Sequence, residues 1–211
     1  MFKVWMILIP LVAGFLFPIS TAPTAGAGAV EAPVSLEENR VKEWRKERDH
    51  FFKNHVRSPL TPQEKKRFTG LTYYPFNPKF VFEGQIERFI LHINNPDYYA
   101  TFVTNKGTSK RYIRYGRFRF TLDGKGYALE VYKSILSDAL FIPFKDKTNG
   151  KETYGGGRYI DAQILTGYKM VLDFNVAYYP SCVYNEKFIC VLPPKENTLD
   201  IDIKAGEKNS K

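Results

Sequence analysis

Apolar and polar positions divide this chain into a short helical region followed by a long region of strand-like alternation. Ser35 and Glu38 have the spacing of a capping box, in which the serine hydroxyl and the glutamate carboxylate bond the first free amides of a helix. Trp44 and Phe51 then recur at helical spacing. The pattern predicts an amphipathic helix over residues 35–54.

A second, shorter helix is predicted directly after the first. Thr61 and Glu64 repeat the capping spacing, and Pro62 suits the first helical position because proline has no amide hydrogen to leave unpaired. Gly70 favours the end of this helix shortly after Phe68, since glycine adopts the left-handed backbone that often closes a helix.

From about residue 80, short apolar runs alternate with turn residues, which is typical of β-strands. Asp123 and Gly124 predict a tight hairpin turn between two of the runs. Strands at this spacing predict an all-β domain, either a sandwich or a partly closed barrel. It has about nine short, mainly antiparallel strands, and the two N-terminal helices pack on it. The predicted strands are residues 80–86, 89–93, 101–104, 110–120, 127–132, 159–164, 168–176, 188–192 and 199–203.

The first residues have the composition of a secretory signal. Lys3 provides a positive charge, residues 4–17 are apolar, and small residues follow, with cleavage expected after Ala27 or Ala29. The apolar run is too short for a comfortable membrane span. We therefore expect an exported mature protein without one, in the periplasm, the cell envelope or the medium. An uncleaved anchor is the alternative. The predicted order is a signal peptide (1–29), a flexible arm (30–34), a single β-rich domain (35–205) and a tail (206–211).

The composition is globular and basic. Hydrophobic residues make up 44% and charged residues 25%, and the formal net charge is +9, from 31 Lys and Arg against 22 Asp and Glu. Such a balance favours anionic surfaces and ligands. The basic residues are interspersed with aromatic and acidic ones, and no helix-turn-helix, zinc-finger or RNA-recognition pattern is present. We therefore expect no nucleic-acid partner, and we expect no cofactor.

Cys182 and Cys190 are the two cysteines of the chain. In an oxidising compartment such a pair is usually bridged, and residues 185–187 favour a turn between them. Closing so short a loop would contribute roughly 2–3 kcal/mol. Two cysteines without a histidine nearby in sequence do not make a metal site, so the sequence predicts one disulfide and no metal.

The most unusual stretch is residues 144–159, which holds four of the chain's 15 glycines between two apolar segments. Gly155, Gly156 and Gly157 permit a close backbone approach, and Arg158 directly after them is placed to fork onto a carboxylate or phosphate. Two interpretations stay open. One is a turn whose arginine pairs with a buried carboxylate, and the other is a polar cleft with one cationic wall.

Polar residues gather in the same half of the chain. Asp173 and Asn175 alternate with apolar residues, so both side chains should project from one strand face. If buried they need partners, and Arg158 is the natural partner for Asp173, with Arg114 and Arg117 in reserve. The candidate ligand-binding residues are Arg158, Tyr159, Asp146, Thr148, Tyr154, Asp173, Asn175, Arg114 and Arg117.

Two functions remain open for these residues. The first is an exported binding or structural module of the cell envelope, in which Arg158 and tyrosines hold an anionic or sugar-like ligand. The second is a small exported hydrolase, with Asp146 or Asp173 as general base and amides of the glycine turn stabilising an oxyanion. The chain lacks the Gly-x-Ser-x-Gly and His-Glu-x-x-His motifs, so we favour the first without deciding whether the protein is an enzyme.

The order of several sequence blocks is also informative. The most specific are the glycine–arginine block at residues 153–159 and the Pro-Pro-x-Glu-Asn ending at residues 193–197. With them, the chain resembles a bacterial family catalogued as domain of unknown function 1684, over about residues 43–207. That family has no assigned biochemical activity, so the resemblance implies one domain and carries over no catalytic residue. The accompanying blocks are residues 51–52, 58–60, 115–117, 172–175, 182–185 and 190–192.

Overall fold

The computed structural model describes residues 35–136, 138–162 and 164–210. Its helices are α1 (Leu36–Asn54) and α2 (Pro62–Arg67), and both predicted caps are present. The Ser35 side chain accepts from the amide of Glu38, and Thr61 opens a complete capping box. No described helix combines the length and the apolar character that crossing a membrane requires. The predicted signal peptide and arm lie outside the described residues.

The domain is mostly β, with seven strands in one antiparallel sheet of order β6-β5-β4-β3-β1-β7, in which β2 pairs with β3. The sheet curls into a half-barrel, and an isolated bridge between Ile164 and Met170 links the region after β6 to β7. The strands are β1 (Val81–Arg88), β2 (Tyr99–Val103), β3 (Ser109–Leu122), β4 (Lys125–Lys133), β5 (Leu140–Phe144), β6 (Arg158–Ala162) and β7 (Lys169–Asp173).

The prediction of nine strands is wrong in detail. Residues 89–93, 188–192 and 199–203 form no strand, whereas β5 was not among the predicted ones. Val191 and Leu199 are nevertheless buried, at 4% and 3% exposure. Residues 199–203 bury alternate side chains and residues 188–192 bury Val191, both without a hydrogen-bonded ladder, whereas Ile90 and Ile93 of the first segment are exposed. An alternation of apolar and polar residues therefore indicates that one side of a segment is buried. An extended segment can satisfy this condition without pairing as a strand.

Each face of the sheet has its own apolar cluster. On β5, Leu140, Ile142 and Phe144 belong to the larger cluster, which fills the inside of the half-barrel. Phe141 points to the opposite face, as the two-residue period of a strand requires. There it packs with Tyr159 against a smaller, aromatic cluster.

The strand pairing decides at which end of the sheet each connection lies, and because β1 and β2 both pair antiparallel to β3, the β2–β3 turn shares the end of the β1–β2 connection. The connections β1–β2, β4–β5 and β6–β7 lie at one end. We call their described residues 89–95, 134–136, 138–139 and 164–168 the rim loops. The β3–β4 turn and the β5–β6 connection lie at the other end, and we call residues 145–157 the glycine loop.

The C-terminal residues differ from the predicted tail. Glu207 is 2% exposed, and the amide of Tyr74 donates to the carbonyl of Gly206 at 2.9 Å. The carbonyl of Glu152 accepts from the amide of Asn209 at 2.9 Å. The packed domain therefore continues past residue 205, because these backbone groups complete the wall of the glycine-loop end.

Candidate functional site

Arg158 is the centre of a buried hydrogen-bond network. Its side chain has no exposed surface, and one terminal nitrogen donates to Asp146 Oδ2 at 2.9 Å and to the carbonyl of Ile203 at 2.8 Å. The other terminal nitrogen donates to the carbonyls of Ala205 and Glu207. The prediction that Asp173 is the partner of Arg158 is wrong, because Asp146 takes that place. Since the fork is occupied by the chain's own acceptors, the geometry fits the structural interpretation of this arginine.

The glycine loop folds around the same carboxylate. Asp146 Oδ1 accepts from both the amide and the hydroxyl of Thr148, whose hydroxyl lies 2.8 Å from that of Thr153. At Gly157, φ is +95°, and an added Cβ would lie 2.6 Å from the carbonyl oxygen of Phe144. The close approach predicted for the glycines therefore serves the chain's own backbone.

Arg114 and Arg117 belong to a second network. Arg114 forms a two-bond fork with Glu130, at 2.8 and 3.2 Å, and Arg117 approaches the same carboxylate at 3.4 Å. Glu130 is 3% exposed and also accepts from the hydroxyl of Tyr132 at 3.0 Å. Its hydrogen bond with Glu130 raises the pKa of Arg114, so this cation is held firmly charged.

Asp173 and Asn175 form a third network at the end of β7. Asp173 Oδ1 accepts from the backbone and side-chain amides of Asn175, at 2.8 and 2.9 Å, and Oδ2 lies 3.5 Å from Arg40 of α1. Asn175 also accepts from the amide of Asn77 at 2.9 Å. The nine candidate residues are therefore divided among separate places, and they do not form one cleft.

A large open space follows from the incomplete closure of the half-barrel. Between β6 and β7 lies a cavity of about 810 Å³, which we call the seam cavity. Trp44 and Arg40 of α1 border it on one side, and its carboxylates come from Asp138, from Asp161 of β6 and from Asp173 of β7. Asp173 and its partner Arg40 are thus residues of the third network that also face an accessible volume.

A second cavity of about 340 Å³ lies on the outer face of the sheet, and we call it the aromatic pocket. Phe141 stacks on Tyr112 with ring centroids 5.3 Å apart and meets Tyr159 edge-on at 4.8 Å. Tyr178 meets Tyr159 edge-on at 5.8 Å. Of the predicted site residues, Tyr159 lines this pocket. Asp161, which was not predicted, lines both this pocket and the seam cavity.

Asp161 is the titratable group where the two cavities meet. The hydroxyl of Tyr178 donates to Asp161 Oδ2 at 2.7 Å. The surrounding side chains desolvate the carboxyl and raise its pKa, while the Tyr178 hydrogen bond and the charge of Arg48 act in the opposite direction. Asp161 nevertheless keeps an exposed surface and lines both cavities. Asp161 can therefore bind a ligand as donor or acceptor according to pH.

Sequence reasoning missed Asp161, although a signal was present. It is the one acidic residue in the run Tyr159, Ile160, Asp161 and Ala162, and its neighbours Ile160 and Ala162 are buried in the core. A carboxylate on the alternate face of an apolar strand has to be satisfied by something lying over that face. Here that partner is Tyr178, whose own pKa is raised by burial and by Asp161.

One of the two cysteines, Cys190, borders the aromatic pocket, and Cys182 lies beside it. Both are free thiols in this structure, and the amide of Cys182 donates to Cys190 Sγ at 3.2 Å. Cys190 is part of the pocket wall. Burial, followed by the hydrogen bond with Cys190, raises the pKa of the Cys182 thiol to about 12. The pair is close together, but the disulfide itself stays a prediction.

Comparison with known proteins identifies the family. The family described as "Protein of unknown function (DUF1684)" matches residues 66–208. The chain belongs to the DUF1684 family. The solution NMR structure of an uncharacterized protein of Haloarcula marismortui is similar, with 32% identity and a TM-score of 0.63. The similarity covers 82% of this chain and 94% of that one. No curated protein shows a significant match to this chain.

Several of the sequence blocks that carried the resemblance to DUF1684 lie in the three networks or in the pocket wall. The glycine–arginine block holds Arg158, and the Pro-Pro-x-Glu-Asn ending supplies Asn197, whose side-chain nitrogen donates to the carbonyls of Glu130 and Pro143 at 2.9 and 2.8 Å. Cys190 stands at the pocket. In this chain the blocks mark folding contacts more than accessible chemistry.

Proposed function

We propose that this protein is an exported binding module that holds a small sugar-like ligand in the aromatic pocket. The observation that supports this proposal most strongly is that aromatic rings surround the carboxyl of Asp161 in the pocket. The rings belong to Tyr112, Phe141, Tyr159 and Tyr178. Flat apolar faces suit the C–H faces of a sugar ring, and one convergent acid with a tyrosine hydroxyl suits its hydroxyl groups. The volume of about 340 Å³ is at the lower end for small-ligand sites.

Local charge favours a neutral ligand over an anionic one. Lys110 is the cation of the pocket wall, and its Nζ already donates to the carbonyl of Ile189 at 3.0 Å. An anion would therefore meet the carboxyl of Asp161 without a free cation beside it. The net charge of +9 acts on the approach of ligands from a distance and does not decide chemistry within the pocket.

Calorimetric titration of the purified protein with envelope sugars and organic anions tests the proposal. We expect binding of a sugar, weakened about tenfold by Asp161→Asn and by Tyr112→Leu, since each loses about 1.4 kcal/mol of contact. Asp200→Asn, at an exposed surface pair, and Tyr127→Leu, away from the pocket, are the matched controls. Absence of any sugar binding, or equal weakening by the controls, would refute the proposal.

Export and the disulfide belong to the same proposal. The apolar residues 4–17 and the small residues after them support a cleaved signal, and the proximity of Cys182 and Cys190 supports a bridge formed outside the reducing cytoplasm. Mass spectrometry of protein from its native host should show cleavage after Ala27 or Ala29 and a mass lower by two hydrogens than that of the reduced form. An intact N-terminus or two alkylatable thiols would contradict these expectations.

One observation keeps a hydrolase as the second candidate. Asp161, with its raised pKa, and Asp173, which faces Arg40, both line the seam cavity, and two carboxyl groups in different environments can divide acid and base roles. Asp146, considered as a base from sequence, is excluded by its fully buried pair with Arg158. Chromogenic glycosides decide this candidate: we expect turnover that Asp161→Asn abolishes, and no turnover by the native protein would eliminate it.

A further inference from the structure

The rim loops concentrate large exposed apolar side chains at one end of the sheet. Among the described residues, seven of the twelve exposed large hydrophobic side chains belong to these loops. Ile90 and Leu136 are 96% and 91% exposed, on two different loops. Scattered single apolar residues are ordinary on a protein surface, but a group of this kind marks an interaction site. The seven are Ile90, Ile93, Ile135, Leu136, Ile164, Leu165 and Tyr168.

A cationic cavity lies among the same loops. It has a volume of about 410 Å³, and we call it the rim cavity. Arg88, Arg114 and Lys133 line it, and none of its lining residues is acidic. Arg114 is bound to Glu130, and Lys133 forms an exposed pair with Asp138, whose side chain is 98% exposed. The electrostatic character of this space is therefore positive.

Arg88 is the cation of this cavity that has hydrogen-bond donors available for a ligand. Its guanidinium lies over the ring of Tyr115 at 3.7 Å and near that of Tyr168 at 5.2 Å. Its Nε donates to the carbonyl of Tyr115 at 3.0 Å, whereas its two terminal nitrogens have no protein partner among the described residues. Held in this way, the fork keeps two adjacent donors available for the oxygens of a phosphate.

We propose that the rim loops dock this domain on the surface of a membrane containing anionic phospholipids. Ile90 and Leu136 enter the boundary between headgroups and acyl chains, and Arg88 in the rim cavity binds a lipid phosphate. Tyr168 lies at the level of Arg88, as aromatic residues do at membrane interfaces. Ser134 and Ala139 of the rim loops also line the aromatic pocket, but Ile90, Leu136 and Arg88, on which this proposal rests, do not.

The arrangement fits a bilayer better than a protein partner. The apolar side chains lie on separate loops beside a cationic cavity, whereas the core of a protein interface is typically depleted of charge. Insertion of loop side chains beside cations gains from both apolar burial and attraction to anionic headgroups. The chain's net charge of +9 has the sign that such a surface attracts.

Vesicle flotation of the full chain tests the proposal. The protein is mixed with vesicles of phosphatidylcholine alone or with added phosphatidylglycerol, and the floated fraction is measured at low and high salt. We expect stronger binding to the anionic vesicles. Ile90→Ser with Leu136→Ser, and separately Arg88→Gln, should each weaken binding roughly fivefold or more, as expected for about 1 kcal/mol per group. The matched controls are Leu36→Ser with Val56→Ser, which are 84% and 92% exposed off the rim, and Arg67→Gln on α2.

Hydrogen exchange of vesicle-bound protein separates rim contact from any attachment through residues 4–17, which every variant shares. We expect slowed exchange at residues 89–93 and 134–136 and unchanged exchange at residues 56–60. Equal flotation of rim and control variants, or unprotected rim loops, would overturn the proposal. Binding of inorganic phosphate without binding of vesicles would also overturn it. The same holds for association with a protein when anionic vesicles have no effect.

Discussion

The two ends of the curled sheet differ in the side chains that they bury and expose. At the glycine-loop end, Arg158, Asp146 and Thr148 are 0–6% exposed and bond one another or the backbone. At the rim-loop end, Ile90 and Leu136 are more than nine-tenths exposed and pack against nothing in the domain. The comparison shows that an unusual sequence does not mark an accessible surface. The glycine-rich stretch closes one end of the fold, whereas the rim loops, which have no unusual sequence motif, form the exposed end.

The physical reason for this contrast is the cost of burying polar groups. A buried guanidinium and carboxylate require a full set of partners, so residues that supply them are constrained to closed surroundings. The rim loops have no such requirement. Their side chains are free to serve a partner outside the domain, and the following substitutions test how far the two ends differ.

The largest effect is expected for Arg158→Met. It removes the guanidinium while leaving Asp146 buried, so the free energy of unfolding should fall by roughly 3–5 kcal/mol. Urea denaturation measures the change. Arg119→Met, which breaks the exposed pair with Glu87, is the control and should cost less than about 1 kcal/mol. Similar losses for the two variants would show that the glycine-loop end is not held by its buried pair.

Gly157→Ala should be the next most damaging change. Gly157 has φ +95° and no space for a Cβ, whereas Gly150 in the same loop has φ +78° and nothing within 4 Å. Both substitutions incur the backbone cost of about 1–2 kcal/mol, and the first adds roughly 1–3 kcal/mol of overlap. Thermal and urea unfolding of the pair isolate the overlap, and equal stabilities would contradict the close packing at Gly157.

Glu207 predicts a pH effect confined to the glycine-loop end. Burial raises the pKa of Glu207 to about 7, against opposing contributions from Arg48 and the Tyr179 amide. Between its usual value of 4.5 and 7, the folded state holds a proton that the unfolded state has released, so stability falls as pH rises through this window. The loss should be about 3–4 kcal/mol.

Glu207→Gln should remove most of that pH dependence, because the amide does not titrate. Unfolding free energies at several pH values between 4.5 and 8 provide the measurement, with exposed Glu47→Gln as control. A slope that survives in the Glu207 variant would assign the effect to another group, of which Asp161 is the first candidate because its pKa is also raised.

The smallest effect on stability is expected at the rim. Ile90→Ser combined with Leu136→Ser should change the free energy of unfolding by no more than about 0.5 kcal/mol, because neither side chain is buried. Leu140→Ala, at a position 1% exposed next to the same loops, should cost about 2–5 kcal/mol. A loss above about 1 kcal/mol for the rim pair would mean that these residues support the fold, and the contrast between the ends would fail.

Local sequence was sufficient wherever the interaction spans only a few residues. The caps of α1 and α2 depend on side chains three positions from the amides they bind. The hairpin turn at Asp123 and Gly124 depends on two consecutive residues that accept positive φ, here 52° and 75°. Alternation also indicated the β class, because one-sided burial leaves a two-residue period whatever the strand order.

Only the tertiary structure decided which carboxylate meets Arg158 and where the open site lies. Asp146 and Asp173 are nearly equally distant from Arg158 in sequence, but β6 and β7 stand at opposite edges of the strand order, whereas β5 and β6 are paired neighbours. That order depends on long-range pairing of β1 with β3 and β7, which no local pattern encodes. The same pairing leaves the seam cavity open beside Asp161, so the position of this carboxyl between the seam cavity and the aromatic pocket follows from how the sheet fails to close.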